Sequence, residues 1–292
     1  MKKIALITGA TGGIGKHVAI GLAKNGMKVI IHGRNEVKTQ HVVEEIKQIT
    51  GNNDIEYLLA DLFSFEDIKN MAEAFKKRYD HLDVLVNNAG AVLSNDSGQN
   101  SDGVDNTLTL NVYSPLLLTD LLMDSLKKSA SARVIYTSSA AHRMSGRPDM
   151  GDLNLTGNYG GQRKYNISKL YMIWIARRQS RILQSRGINN VTINVSHPGM
   201  VATAFGQSGD KGFWINLVYK IAGTKLAAYF ASTPEQGAST DIYLATSPDV
   251  EGVSGKFFGN SKEQKPSERY YSLENEKLVW NSVMDKIQSY MK

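Results

Sequence analysis

The chain has 292 residues, of which 41% are hydrophobic and 21% charged, and it contains no cysteine. That length and apolar content give a core large enough to need no covalent staples, and the missing thiols exclude disulfide scaffolds, cysteine-ligated zinc, iron–sulfur clusters and thiol nucleophiles. The 34 Lys+Arg against 28 Asp+Glu leave a net charge of +6, but the basic residues occur singly or in pairs such as Lys76-Lys77 and Arg177-Arg178, a pattern of solvated helix faces rather than of a nucleic-acid surface.

In chain order, short β-rich apolar runs recur at residues 4–7, 29–31, 56–59, 84–86, 134–136 and 192–195, with stretches between them long enough for crossover helices. Strands apolar on both faces and separated by helices predict an α/β fold, a Rossmann-type doubly wound parallel sheet with helices on both faces. No linker or repeat breaks the series, so residues 1–292 read as a single domain. The oiliest stretch, 116–126, holds Asp120 and Asp124 and predicts a buried helix rather than a membrane span. The opening apolar run is too short for a signal peptide, so a cytoplasmic protein is expected. Two segments interrupt the alternation, a Gly-rich polar stretch at 143–164 and an insertion at 203–232, and loops of that length are usually functional. A last strand near 256–258 is expected to close the sheet edge, and residues 273–290 predict a C-terminal amphipathic helix.

The first strand runs into Thr8-Gly9-Ala10-Thr11-Gly12-Gly13-Ile14-Gly15, followed by a helix over 16–24. Glycines there allow a tight turn, close backbone approach to a pyrophosphate, and helix–sheet contact, while the helix N-terminus offers free N–H groups. An ordinary strand–helix connection is the alternative. The spacing Thr8-Gly9-x-x-x-Gly13-x-Gly15 resembles the fingerprint of the short-chain dehydrogenase/reductase family. That resemblance implies a dinucleotide held by Gly9, Thr11, Gly13, Ile14 and Gly15. In such folds the end of the second strand faces the adenosine ribose. Here it reads His32-Gly33-Arg34-Asn35, with no acid before Glu36, so Arg34 is expected to take a 2′-phosphate and the cofactor to be NADP(H). Asp61-Leu62 matches the family's adenine-contacting pair, although an Asp there also suits a cap for a helix starting near Ser64. Asn87-Asn88-Ala89-Gly90 matches a motif that is chiefly structural in the family and lines the cofactor groove, with Asn88, Ala89 and Gly90 expected near the dinucleotide.

Tyr165-Asn166-Ile167-Ser168-Lys169 places a phenol and an ammonium at i and i+4, on one face at the start of a helix. A neighbouring ammonium and an oxidised nicotinamide both favour phenolate and should bring the phenol's pKa toward the working range. Ser138-Ser139 closes a strand at the sheet end where open α/β folds bind ligands. The resemblance assigns Ser139, with Ser138 as fallback, to orienting the substrate oxygen, and no Gly-x-Ser-x-Gly elbow supports a serine nucleophile. The resemblance also makes Asn111 the helix asparagine that holds a relay water. By the same resemblance Pro198, Gly199, Val201 and Thr203 meet the nicotinamide, together with Tyr165 and Lys169, and His197 is expected to pack without a catalytic role.

The gap from Ser139 to Tyr165, Ala141-His142-Arg143 and His197-Pro198-Gly199 resemble the retinol-dehydrogenase-like and protochlorophyllide-reductase-like branch of the family. The implied reaction is hydride transfer between NADP(H) and a small-molecule carbonyl or alcohol, with a lipophilic aldehyde or ketone suggested by the apolar segment 213–222, Phe205 and Met144. That segment suits a substrate lid, a helix packed on the core, a homodimer contact or a membrane-surface contact. The rival readings are an NAD(P)-dependent epimerase or dehydratase on the same scaffold and a dinucleotide-binding regulator without turnover. No metal site is read in the sequence.

Overall fold

The computed structural model describes residues 2–199 and 233–291. In chain order the elements are β1 (Ile4–Ile7), α1 (Gly13–Lys24), β2 (Lys28–Gly33), α2 (Glu36–Thr50), β3 (Ile55–Leu59), α3 (Phe65–Arg78), β4 (Val84–Asn87), α4 (Asn106–Leu108), a π turn (Thr109–Tyr113), α5 (Ser114–Leu121), α6 (Met123–Lys127), β5 (Ala132–Thr137), a 3-10 turn (Ala140–Met144), α7 (Gly161–Ser185), β6 (Val191–His197), α8 (Pro234–Thr246), β7 (Phe257–Gly259), β8 (Lys262–Gln264) and α9 (Leu273–Ile287). They build one eight-stranded sheet in the order β3-β2-β1-β4-β5-β6-β7-β8. Strands β1 to β7 pair in parallel. The strand order reverses beside β1, and the crevice beyond the carboxyl ends of β1 and β4 is where such sheets take ligands.

Strand alternation explains the two-sided core. Ile4 and Leu6 of β1 face a layer built from α3, α5, α7 and α9, where Phe65, Phe75 and Trp174 are fully buried. Ala5 and Ile7 face the other layer with Val18 and Leu22 of α1, Ile46 of α2 and Leu244 of α8. Each fully buried Leu, Ile or Phe contributes about 1.5–3 kcal/mol, so neither face tolerates a polar residue without a partner.

Three elements depart from the sequence expectation. The edge strand is not the one near 256–258 but β8, which returns antiparallel from β7 through Asn260 (φ 51°) and Ser261 (φ 56°). Two consecutive left-handed residues make a hairpin turn whose twist matches the strands. The predicted helix over 116–126 is divided at Leu122, between α5 and α6. Asn111 lies in the π turn rather than in a regular helix, a local widening frequently found at functional sites.

Two buried acids tie late elements to the sheet and to α7. Asp241 of α8 is 1% exposed and accepts the Thr137 hydroxyl on Oδ2 at 3.2 Å. Its Oδ1 and the neighbouring Ser196 Oγ have no hydrogen-bond partner of good geometry. Glu276 of α9 is 0% exposed. It pairs with Arg181, lies 3.8 Å from Arg178, and accepts the Tyr271 hydroxyl at 3.0 Å. With Val279, Val283 and Ile287 also buried, α9 packs along α7.

Candidate active site

The glycine-rich turn is held by its neighbours on every side. Gly9 (φ +65°) and Gly13 (φ +53°) take the left-handed conformation that side chains resist. At Gly15 a Cβ would lie 2.4 Å from Asn88 Nδ2 and 2.7 Å from Gly9 O, so only glycine lets α1 come this close to the sheet. Asn88 Nδ2 donates to Thr8 O at 2.8 Å, and Ala89 N donates to Thr8 Oγ1 at 3.0 Å, binding the end of β4 to the turn. Asn87 points elsewhere, donating to Thr119 Oγ1 at 3.0 Å. Gly12 occupies the N-cap of α1, so no side chain caps the helix and no acid sits in its first turn. Thr11 and the buried Ile14 flank this end. Uncapped N–H groups and the helix dipole suit a pyrophosphate.

After the end of β2, Arg34 is exposed and makes no hydrogen bond or ion pair among the described residues. Its neighbour Asn35 caps α2, accepting from Lys38 N. Glu36, the nearest acid, is engaged by the Tyr57 hydroxyl at 3.1 Å and by Gln40. Asp61 is exposed and accepts Phe63 N at 3.0 Å, whereas Ser64 caps α3, so the alternative reading of Asp61 as the helix cap does not hold. Leu62 is buried, and its carbonyl accepts the Ser114 hydroxyl at 2.6 Å.

The side chains expected to react converge at the ends of β4 and β5. Helix α7 starts at Gly161, a turn before Tyr165, where a Cβ would be 2.1 Å from Leu93 O and where the amide donates to Asn95 Oδ1 at 2.7 Å. This close approach fixes the helix start. The hydroxyl of Ser139 hydrogen-bonds Tyr165, while that of Ser138 donates to Lys169 O at 2.9 Å and is 3% exposed. Ser139 is therefore the serine that shares the phenol's site. Lys169 Nζ donates to Thr137 O at 2.9 Å and lies 5.5 Å from the Tyr165 ring centre. Asn111 Nδ2 is anchored on Ala91 O at 3.0 Å and Thr107 O at 2.9 Å, leaving Oδ1 buried without a partner. A Cβ on Gly90 would stand 2.7 Å from that Oδ1 and 3.0 Å from Lys169 Nζ, so the bare glycine is the floor on which both groups meet.

Without a dinucleotide, burial dominates the electrostatics of these groups. Burial pushes the Tyr165 phenol up to about 12, with the Ser139 hydrogen bond only partly opposing it, and lowers Lys169 to about 8. In the protein alone desolvation outweighs any pull of the ammonium on the phenol. At the end of β6, Gly199 (φ +76°) follows Pro198, and its amide donates to His197 Nδ1 at 3.2 Å. Val201, Thr203, Phe205 and the expected lid lie outside the described residues. Sequence reasoning passed over Asp105 and Lys164. Asp105 caps α4 and pairs with Lys164 at 2.6 Å, bracing the Asn111 segment against the residue before Tyr165. The only signal for it was a Lys beside the tyrosine.

The uncapped α1 terminus, the glycine cradles and the orphaned Asn111 oxygen fit a nicotinamide dinucleotide. The sequence profile of the short chain dehydrogenase family matches residues 3–212, and the chain belongs to that family, in its retinol-dehydrogenase-like branch. Among its relatives, polyprenol dehydrogenase of Homo sapiens is 36% identical over 283 residues, covering 96% of this chain and 83% of that one. Retinol dehydrogenase 14 of Homo sapiens is 33% identical over 276 residues, covering 90% and 80%. A short chain dehydrogenase from Shigella flexneri 2a str. 301, solved in complex with NADP, superposes with a TM-score of 0.66 at 25% identity, covering 89% of this chain and 97% of that one. Among the described residues no helix is long and apolar enough to cross a membrane.

Proposed function

We propose that residues 1–292 form one NADP(H)-dependent oxidoreductase domain that moves a hydride between the nicotinamide and a carbonyl or alcohol, with lipophilic aldehydes or ketones as substrates. The observation that carries this reading is the convergence of the Ser139 hydroxyl, the Tyr165 phenol, the Lys169 ammonium and the unpartnered Asn111 oxygen at one sheet end. The preference for NADP(H) is supported by Arg34, which has no protein partner among the described residues, and by Glu36, which has two. Lipophilic substrates are supported by the names of the relatives, which act on a polyprenol and on retinol. Met144, 48% exposed in the turn after Ser139, adds apolar surface there.

The turn at Gly9, Thr11, Gly13, Ile14 and Gly15 would hold the pyrophosphate, and Arg34, Asp61 and Leu62 the adenosine end. Asn88, Ala89, Gly90, Lys169, Pro198, Gly199, Val201 and Thr203 would hold the nicotinamide half. Bound, the dinucleotide supplies or takes up the hydride and, when oxidised, adds positive charge near the phenol. Ser139 fixes the substrate oxygen against Tyr165. The phenol, protonated at neutral pH because its site is dry, gives its proton to that oxygen in reduction. Lys169 and the Asn111 oxygen, both against Gly90, form the route by which the proton is restored from solvent.

The test is consumption of NADPH against NADH with aldehydes and ketones of graded chain length. Tyr165→Phe should leave NADPH affinity within about threefold and reduce turnover by roughly 10²–10⁴. Wild-type turnover in that variant overturns the assignment, and binding without turnover across the panel favours the regulator.

A further inference from the structure

Three buried or half-buried histidines stand at the strand ends that build the site, and each makes a pair of bonds open only to a neutral ring. His32 of β2 accepts Gly9 N on Nδ1 at 3.1 Å and donates from Nε2 to Ala60 O at 3.1 Å. His142, in the turn after β5, donates from Nδ1 to Ser139 O at 2.7 Å and accepts Ser267 N on Nε2 at 3.1 Å. His197 of β6 accepts Gly199 N on Nδ1 and donates from Nε2 to Gln264 Oε1 at 3.1 Å. An imidazolium has two donors and no acceptor, so it would turn an N–H against each of those three backbone amides.

The placement is not generic packing. One bond of each ring falls on a loop the site uses: the first glycine of the dinucleotide turn, the carbonyl of Ser139, and the glycine of Pro198-Gly199. The other end of each ring is fixed to a different part of the fold, namely the end of β3, the segment after β8, and β8 itself. Phe257 of β7 lies between two of the rings, edge-on to His142 at 5.1 Å and stacked on His197 at 5.2 Å. Each ring therefore joins a site loop to a distant part of the fold through two directional bonds.

We propose that His32, His142 and His197 are positioning residues of the dinucleotide site, neutral bridges that hold its three loops in register, with His32 setting the Gly9 amide for the pyrophosphate. The consequence for affinity rests on the dinucleotide reading above, whereas the bridges belong to the free chain.

Two variants of the full chain separate the bonds. In His32→Asn the side-chain oxygen stands near the place of Nδ1 and can still accept Gly9 N, and in His32→Gln the amide reaches instead toward Ala60 O. The probes are NADPH, titrated by fluorescence, and hydrogen exchange of the Gly9 amide in the protein alone. His32→Asn is expected to keep slow exchange and an NADPH Kd within about threefold of wild type. His32→Gln is expected to exchange roughly tenfold faster and bind roughly tenfold more weakly, with kcat at saturating NADPH within about twofold, since a half-buried donor loses its acceptor. The pair His197→Asn and His197→Gln repeats the comparison at Gly199. A folded Gln variant with wild-type exchange and affinity overturns the proposal, as does an Asn variant as impaired as Gln. If wild type binds neither NADPH nor NADH, the dinucleotide reading fails, and the exchange rates still decide whether His32 holds Gly9.

Discussion

Replacing Asp241 by asparagine should stabilise the fold at neutral pH and leave it unchanged near pH 4. Burial raises this carboxyl from 3.8 to about 6, with the neighbouring Ser196 and Thr137 hydroxyls only partly offsetting the loss of water. Because the folded pKa lies above the unfolded one, the folded chain favours the protonated acid. The penalty is absent below about pH 3.8, grows between there and pH 6, and is complete above pH 6. About two pH units at ~1.4 kcal/mol each make it about 3 kcal/mol. Asparagine imitates the protonated acid at every pH, since its oxygen can accept from Thr137 and its amide can donate to the orphaned Ser196 Oγ. Urea unfolding at pH 7.5 and pH 4 measures the difference through the midpoint at constant slope. Asp120, also raised to about 6 by burial, is common to both proteins and cancels. A variant less stable at pH 7.5, or equally stabilised at both pH values, would refute the reasoning.

Two further outcomes follow from the site. Gly90→Ala puts a methyl group 2.7 Å from Asn111 Oδ1, closer than the 3.0 Å that real Cβ atoms respect. The doubly anchored amide must shift and Lys169 Nζ must give way, so kcat should fall roughly 10–100-fold and NADPH binding should weaken by a smaller factor, measured by steady-state kinetics and direct titration. Arg34→Ser should weaken NADPH binding roughly 10–100-fold and leave NADH binding within about twofold, a difference that shrinks at high salt. Equal loss for both dinucleotides would remove Arg34 from the 2′-phosphate.

The parallel strands were legible because their apolar residues continue on both faces, as in Ile4–Ile7, and the strand-to-helix turn because its glycines are required by backbone shape. The tyrosine and lysine were legible because helical spacing puts them on one face and because the other motifs of the same family stand around them in order. What sequence could not show depends on contacts between distant segments. Nothing in Ser138-Ser139 tells which hydroxyl meets Tyr165 until β5 and α7 are packed, and His32 reads as one more strand residue until Gly9 is placed beneath it. The β7–β8 hairpin was missed because three-residue strands carry almost no periodicity and Asn260-Ser261 is a weak turn signal. The burial that raises the phenol in the protein alone could not be read from local spacing, which reports the nearby ammonium but not how deeply Tyr165 is packed.

The packing of α9 on α7 has a consequence for synthesis. The helix that carries Tyr165 and Lys169 leaves the ribosome about 90 residues before the segment that covers its outer face. At about 5–20 residues per second, Arg178 and Arg181 wait roughly 5–20 s for Glu276. During that interval the nascent chain carries an uncovered apolar stripe beside two unmatched arginines, a patch suited to transient chaperone capture until α9 docks on α7.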